Sequence, residues 1–334
     1  MKESVRRLVV AASAVLLAVG ASHGPSAKGA ALRTCARGAI AATINGKAIC
    51  SKPGQKCRAR FNRQYLRYGL QCVRSRLARS KPVLRRIDVG GYRLAIRCQG
   101  SGSPAVVLES GFDNGGIEWQ FVQPKVAETT RVCSYDRAGV GASDARTPPN
   151  PPQAGRVVDE LHTLLARAGV KAPYVLAGHS LGAFFIRLYA KRYPDQVVGL
   201  VTVDGTPVGL SPTDVDGTDL VKGQFESYYV AAANEELASS PSLGARPLIV
   251  LTRGRPDLSP DIEALWLQGQ QRVAALSTDS ELVRVDNADH DIPDENPAII
   301  AEALREVVKA ARTGALLHPC VATMLPRLRG TCLS

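Results

Sequence analysis

The stretch VLAGHSLGAFFIRLYA, residues 175–190, begins as an apolar run, turns on two glycines around one serine, and leaves with the spacing of an amphipathic helix. A strand that passes through Gly178-His179-Ser180-Leu181-Gly182 into a helix makes a sharp corner. Small residues on both sides let the backbone take that turn and lift the Ser180 hydroxyl out of the sheet. The plainer reading of the same residues is a serine capping the helix that starts at Leu181. The segments around the corner decide between the two.

Outward from it, short apolar runs rich in β-branched residues recur at 92–98, 105–110, 131–136, 174–179, 197–205, 247–254 and 281–287. Helical periods lie between several of them, notably QAGRVVDELHTLLARAG at 153–169, LGAFFIRLYAKRYP at 181–194 and PAIIAEALREVVKAA at 297–311. This order predicts an α/β fold, a mostly parallel sheet flanked by helices on both faces. The 334 residues, 45% of them hydrophobic, suffice for one large core and a small satellite.

Before the first run the pattern is different. MKESVRR followed by LVVAASAVLLAVGA is a basic start and an apolar segment too short to span a bilayer comfortably, which predicts a signal peptide over 1–29 and export. A retained membrane anchor is the alternative. Thiols in an oxidising compartment tend to pair, so Cys35, Cys50, Cys57 and Cys72 predict a small cysteine-rich module at 30–80 held by two disulfides, each worth about 3 kcal/mol for a loop of about 15 residues. There is no C-x-x-C pair and no histidine in that stretch, which argues against zinc. Its connectivity stays open. The net charge of +12 is concentrated partly in 58–69 and 73–86. We read it as a cationic surface, with Tyr65 and Tyr68 offering aromatic contact, that touches an anionic cell envelope and not nucleic acid. The run from Arg74 to Arg86 reads as a tether to the larger domain, 81–312, and 313–334 as a C-terminal tail.

Around Ser180 the other parts of a hydrolytic site can be sought. ESGFDNGG at 109–116 follows an apolar strand with a glycine-rich turn, and the backbone N–H groups of Phe112 and Leu181 are the candidate oxyanion donors. Of five histidines, His23 lies by the signal segment, His162 in a helical period, His179 beside the serine and His318 in the tail. His290, in the polar loop DNADHDIPDENP after the last strand, is the candidate base.

With GHSLG, YDRAGVGASD at 135–144 and SGF at 110–112, the chain resembles the α/β-hydrolase family over about residues 87–312. The resemblance implies a serine hydrolase with Ser180 as nucleophile and His290 as base, and Asp136 and Arg137 as structural residues near the site. Ser110 stands where many members carry histidine. For the acid, Asp257 resembles the family's usual placement and Asp204 the placement found in some lipases, with Asp289 and Asp291 as further candidates. By the family's strand order Cys98 lies beside Cys133, which implies a bond between them and leaves Cys320 and Cys332 to close the tail. The segment 206–245 falls where the family inserts a cap; it reads as helical, with Phe225, Tyr228 and Tyr229 lining a pocket. The expected function is a secreted serine hydrolase that cleaves a small or medium ester, amide, lactone or thioester through an acyl-enzyme, without cofactor or metal. Its expected partner is a small-molecule acyl substrate. The alternative is an inactive scaffold that binds the cell envelope.

Overall fold

In a computed structural model of the chain, residues 40–333 are described apart from 53, 62–64, 66–69, 80–82, 101, 149, 208–219, 225 and 240–241. The signal segment, Cys35, Tyr68 and Phe225 thus lie outside the described residues. Among those described, no helix is long and apolar enough to cross a membrane. The chain divides into two compact units at Leu84.

The smaller unit is built from two hairpins. Strands β1 (Ile40–Ile44) and β2 (Lys47–Ser51) are joined through Asn45 and Gly46, both at positive φ, as a tight hairpin turn requires. Strands β3 (Leu70–Val73) and β4 (Arg76–Arg79) are joined in the same way through Arg74 and Ser75. Ile44, Cys57, Tyr65 and Leu77 form its core, and Cys57 is bonded to Cys72. Cys50 is also disulfide-bonded. Tyr65 is buried, so the expected aromatic contact from this residue is corrected: its ring fills a core too small to spare it.

In the larger unit the strands are β5 (Val83–Asp88), β6 (Arg93–Gln99), β7 (Ala105–Glu109), β8 (Val132–Asp136), β9 (Tyr174–His179), β10 (Val197–Val203), a separate pair β11 (Leu220–Lys222) and β12 (Ser227–Tyr229), β13 (Leu248–Arg253), β14 (Ser280–Val285) and β15 (Gly330–Cys332). All but β11 and β12 join one nine-stranded sheet in the order β15-β14-β13-β10-β9-β7-β8-β6-β5. The six from β14 to β8 are parallel, while β15 and β6 run antiparallel to their neighbours. Strands β7, β8, β9 and β13 are buried at every position, because helices cover both faces.

Side chains alternate between those faces with the period of two. Leu176, Leu200 and Val250 pack on one side against helices α1 (Ala154–Ala168), α2 (Leu181–Arg192), α3 (Ala231–Ala238) and α4 (Pro260–Ala274). Val175, Val201 and Ile249 pack on the other against Trp119 and α5 (Pro297–Thr313). Register brings the carboxyl ends of β7, β9 and β10 level, with Glu109 opposite Gly178 and His179 opposite Val203. The loops that follow these strands therefore open onto one edge of the sheet, where parallel α/β sheets bind ligands.

Four segments differ from their sequence reading. The basic run ending at Arg86, read as a tether with few packing residues, has 76–79 in β4 and 83–86 in β5, with 80–82 outside the described residues. The segment read as a C-terminal tail supplies the edge strand β15, while its Cys320–Cys332 bond is the one the family resemblance implies. Among the described residues of the insertion, the helix is α3, and β11 and β12 form a hairpin before it where the sequence read helix, held where Glu226 is drawn into the interior. Helix α4 was not anticipated at all, although Ser259 and Pro260 stand at its start. Cys98 and Cys133 face each other across β6 and β8 and are bonded.

Candidate active site

The corner after β9 puts Ser180 at φ 50° and ψ −123°, a conformation that L residues rarely adopt. Two glycines make it sterically possible. A Cβ on Gly178 would lie 2.5 Å from the Gly182 carbonyl, and one on Gly182 would lie 2.4 Å from the Glu109 carbonyl oxygen. The corner is pinned from both sides, as the Ser180 N–H donates to Val203 O at 3.1 Å and the Ser180 carbonyl accepts from the Thr206 N–H at 2.9 Å. Strain held by surrounding structure at one polar side chain points to a site, not to a simple cap.

His290 Nε2 lies 3.0 Å from Ser180 Oγ, and its Nδ1 lies 2.6 Å from Asp204 Oδ2. Asp204, fully buried at the end of β10, also accepts hydrogen bonds from Trp266 Nε1 at 2.9 Å, the Arg253 N–H at 3.1 Å and Arg253 Nη1 at 2.9 Å. Burial alone would raise its pKa, but the hydrogen bond and charge of His290, with Arg253, outweigh that and hold the carboxyl well below the usual carboxylate range. Asp257 is placed differently. Its carboxylate lies 3.2 Å from Arg253 Nε, and burial pushes its pKa up. The structure therefore brings Ser180, His290 and Asp204 together and seats Asp257 behind the arginine. Asp289 pairs with Arg255 at 2.8 Å, and the Asp291 N–H donates to Asp289 at 3.0 Å. A serine hydroxyl, an imidazole and a buried carboxylate in this sequence can remove the hydroxyl proton as the oxygen attacks an acyl carbon.

Leu181 is the first residue of α2, so its N–H belongs to the helix's unpaired first turn. Phe112 lies in the turn after β7, which is held by Arg137. This buried guanidinium donates to the carbonyls of Ser110 and Gly111 at 2.7 and 2.6 Å, to Glu109 at 2.6 Å and through Nε to Glu226 at 2.8 Å. Arg137 thus ties the turn to the insertion. Tyr228 is fully buried and bonded to Glu226, so its reading as a pocket-lining ring is corrected: the hydroxyl serves this cluster. Tyr229 remains partly exposed. Replacing Arg137 by methionine leaves two carboxylates buried without their cation and is expected to cost about 3–5 kcal/mol of stability. Urea unfolding reads this directly, and a loss below about 1 kcal/mol would contradict the cluster's role.

Sequence reasoning set His179 aside. In the structure its Nδ1 lies 2.8 Å from Glu118 Oε1 and its Nε2 lies 2.8 Å from the carbonyl of His290. Burial alone would lower its pKa; the charge and hydrogen bond of Glu118 prevail and push it up to about 9. The imidazolium donates from both nitrogens and tethers the loop that carries His290, while Glu118 accepts the Gly111 N–H at 2.9 Å. No motif marks Glu118, because its contacts are made only by the folded sheet. A proton held in the folded state but lost from the unfolded chain stabilises fully below pH 6.5 and is lost as pH rises toward 9. Wild-type stability should fall across that window by up to about 1.4 kcal/mol per pH unit relative to His179→Gln. Parallel stability curves for the two proteins would refute the charged pair.

Residues 104–255 match the α/β hydrolase fold family. The uncharacterized protein YqjL of Bacillus subtilis is 26% identical over 221 residues, which cover 64% of this chain and 87% of that protein. The 2-(acetamidomethylene)succinate hydrolase of Mesorhizobium japonicum is 30% identical over 125 residues, 37% of this chain and 44% of that enzyme. The chain spans less than half the length of several other curated relatives it matches. Among solved structures, an esterase from Thermogutta terrifontis aligns with a TM-score of 0.52 at 21% identity, over 68% of this chain and 98% of the esterase. That likeness is one of fold.

Proposed function

The chain belongs to the α/β-hydrolase family, and on that premise we propose that it is an exported serine hydrolase acting on a small or medium acyl ester. The observation that supports this reading most is the unbroken hydrogen-bonded line from Ser180 through His290 to Asp204. In the reaction, His290 Nε2 takes the hydroxyl proton as Ser180 Oγ adds to the acyl carbon, and Asp204 holds the opposite N–H and stabilises the cation that forms. The N–H groups of Leu181 and Phe112 meet the developing oxyanion, and one such donor is worth about 3–4 kcal/mol in the transition state. His290 returns its proton to the leaving alcohol. Water then attacks the acyl-enzyme by the same route reversed.

Disulfide bonds in both units support a place outside the reducing cytosol. A series of p-nitrophenyl esters of increasing chain length tests both reaction and substrate class. The expected result is a burst of p-nitrophenol proportional to enzyme, followed by slower turnover that peaks at short or medium chains. No release above that of Ser180→Ala with any ester would reject ester hydrolysis, and amide, lactone and thioester substrates would take its place.

A further inference from the structure

The small unit is chemically unlike the hydrolase unit. Residues 21–83 hold 14 of the chain's 42 lysines and arginines and none of its 30 aspartates and glutamates, which leaves 28 against 30 elsewhere. All the excess positive charge therefore belongs to this unit. Its fold gathers part of that charge on one surface. Lys56 and Arg76 are bridged directly opposite each other, with the Cys57 N–H donating to Ser75 O and the Leu77 N–H to Gln55 O. Cys57 and Leu77 turn into the core, while Lys56 and Arg76 stay exposed, flanked by exposed Arg58 and Arg74. Like charges facing each other across a ladder destabilise it, and the unit has no carboxylate of its own to offset them. Arg76 Nη1 donates to Gly54 O at 2.9 Å, but that bond leaves the facing charges unbalanced, whereas an anionic partner would offset them.

We propose that the face carrying Lys56, Arg58, Arg74 and Arg76 is a docking surface for a linear polyanion, a polymer with anionic groups repeated along an extended chain. Arginine forks suit phosphate or carboxylate oxygens. A lipid bilayer is the poorer fit. Among the described residues, no large apolar side chain of this unit is exposed, and Ile44, Tyr65 and Leu77 are all in its core. A surface that enters a bilayer carries apolar residues beside its charges.

The test uses the full-length protein, long-chain sodium polyphosphate as probe, and the variant Lys56→Gln/Arg58→Gln/Arg74→Gln, with the Cys57–Cys72 bond mapped by mass spectrometry to show that the unit has folded. At physiological salt the variant's Kd should rise about tenfold or more, and the slope of log K against log salt should shrink by about two to three. Arg58→Lys/Arg74→Lys keeps the charge and should retain binding. An unchanged Kd and slope in the triple variant would overturn the proposal. So would tighter binding to phosphatidylglycerol vesicles than to polyphosphate at equal anion concentration, which would assign the surface to a membrane.

Discussion

Ser180→Ala is expected to lower kcat by about 10⁴ to 10⁶ with the fold intact. The substitution keeps a Cβ at the strained corner, so Gly178 and Gly182 still accommodate the backbone and the buried neighbours do not move. What it removes is the oxygen 3.0 Å from His290 Nε2. Residual turnover then comes only from binding and the oxyanion donors, which act without a nucleophile. Burst amplitude and steady-state rate on the best p-nitrophenyl ester measure the loss. A variant keeping a tenth of wild-type kcat would remove Ser180 from the reaction.

The second large effect separates the two carboxylates. Asp204→Asn should reduce kcat by about 10⁴, because an amide on His290 Nδ1 favours the wrong tautomer and leaves the imidazolium unpaired. Asp257→Asn should remain within about tenfold of wild type, since Asp257 meets Arg253 and the histidine is already held by Asp204. Equal losses in the two variants would mean that the carboxylates share the role, and a larger loss at Asp257 would reverse the assignment.

Much of the sheet was legible because its inner strands are buried on both faces and read as uninterrupted apolar runs. The edges were not. β5 has the sequence VLRRID and leaves Leu84, Arg85 and Arg86 exposed, while β15 has three residues, so neither carries the apolar signature. Ser180 and His290 stood out through local context, a glycine-flanked corner and a late polar loop. The acid did not, because Asp204 and Asp257 follow neighbouring strands, β10 and β13, and both spacings from the other residues are workable. Long-range packing separates them: Arg253, at the end of β13, stands between the two carboxylates. Glu118 and Glu226 were missed for a similar reason, since each is far in sequence from the His179 and Arg137 it serves.

The proposed reaction depends on the attack of Ser180 on an acyl centre. Treating the full-length protein with a fluorophosphonate and locating the adduct by peptide mass spectrometry tests it most directly, because phosphonylation needs both an activated hydroxyl and an oxyanion site. One adduct per chain is predicted, on Ser180, with labelling slowed sharply in Asp204→Asn. A folded protein that takes no label, or takes it on another serine with Ser180 unmodified, would contradict the claim.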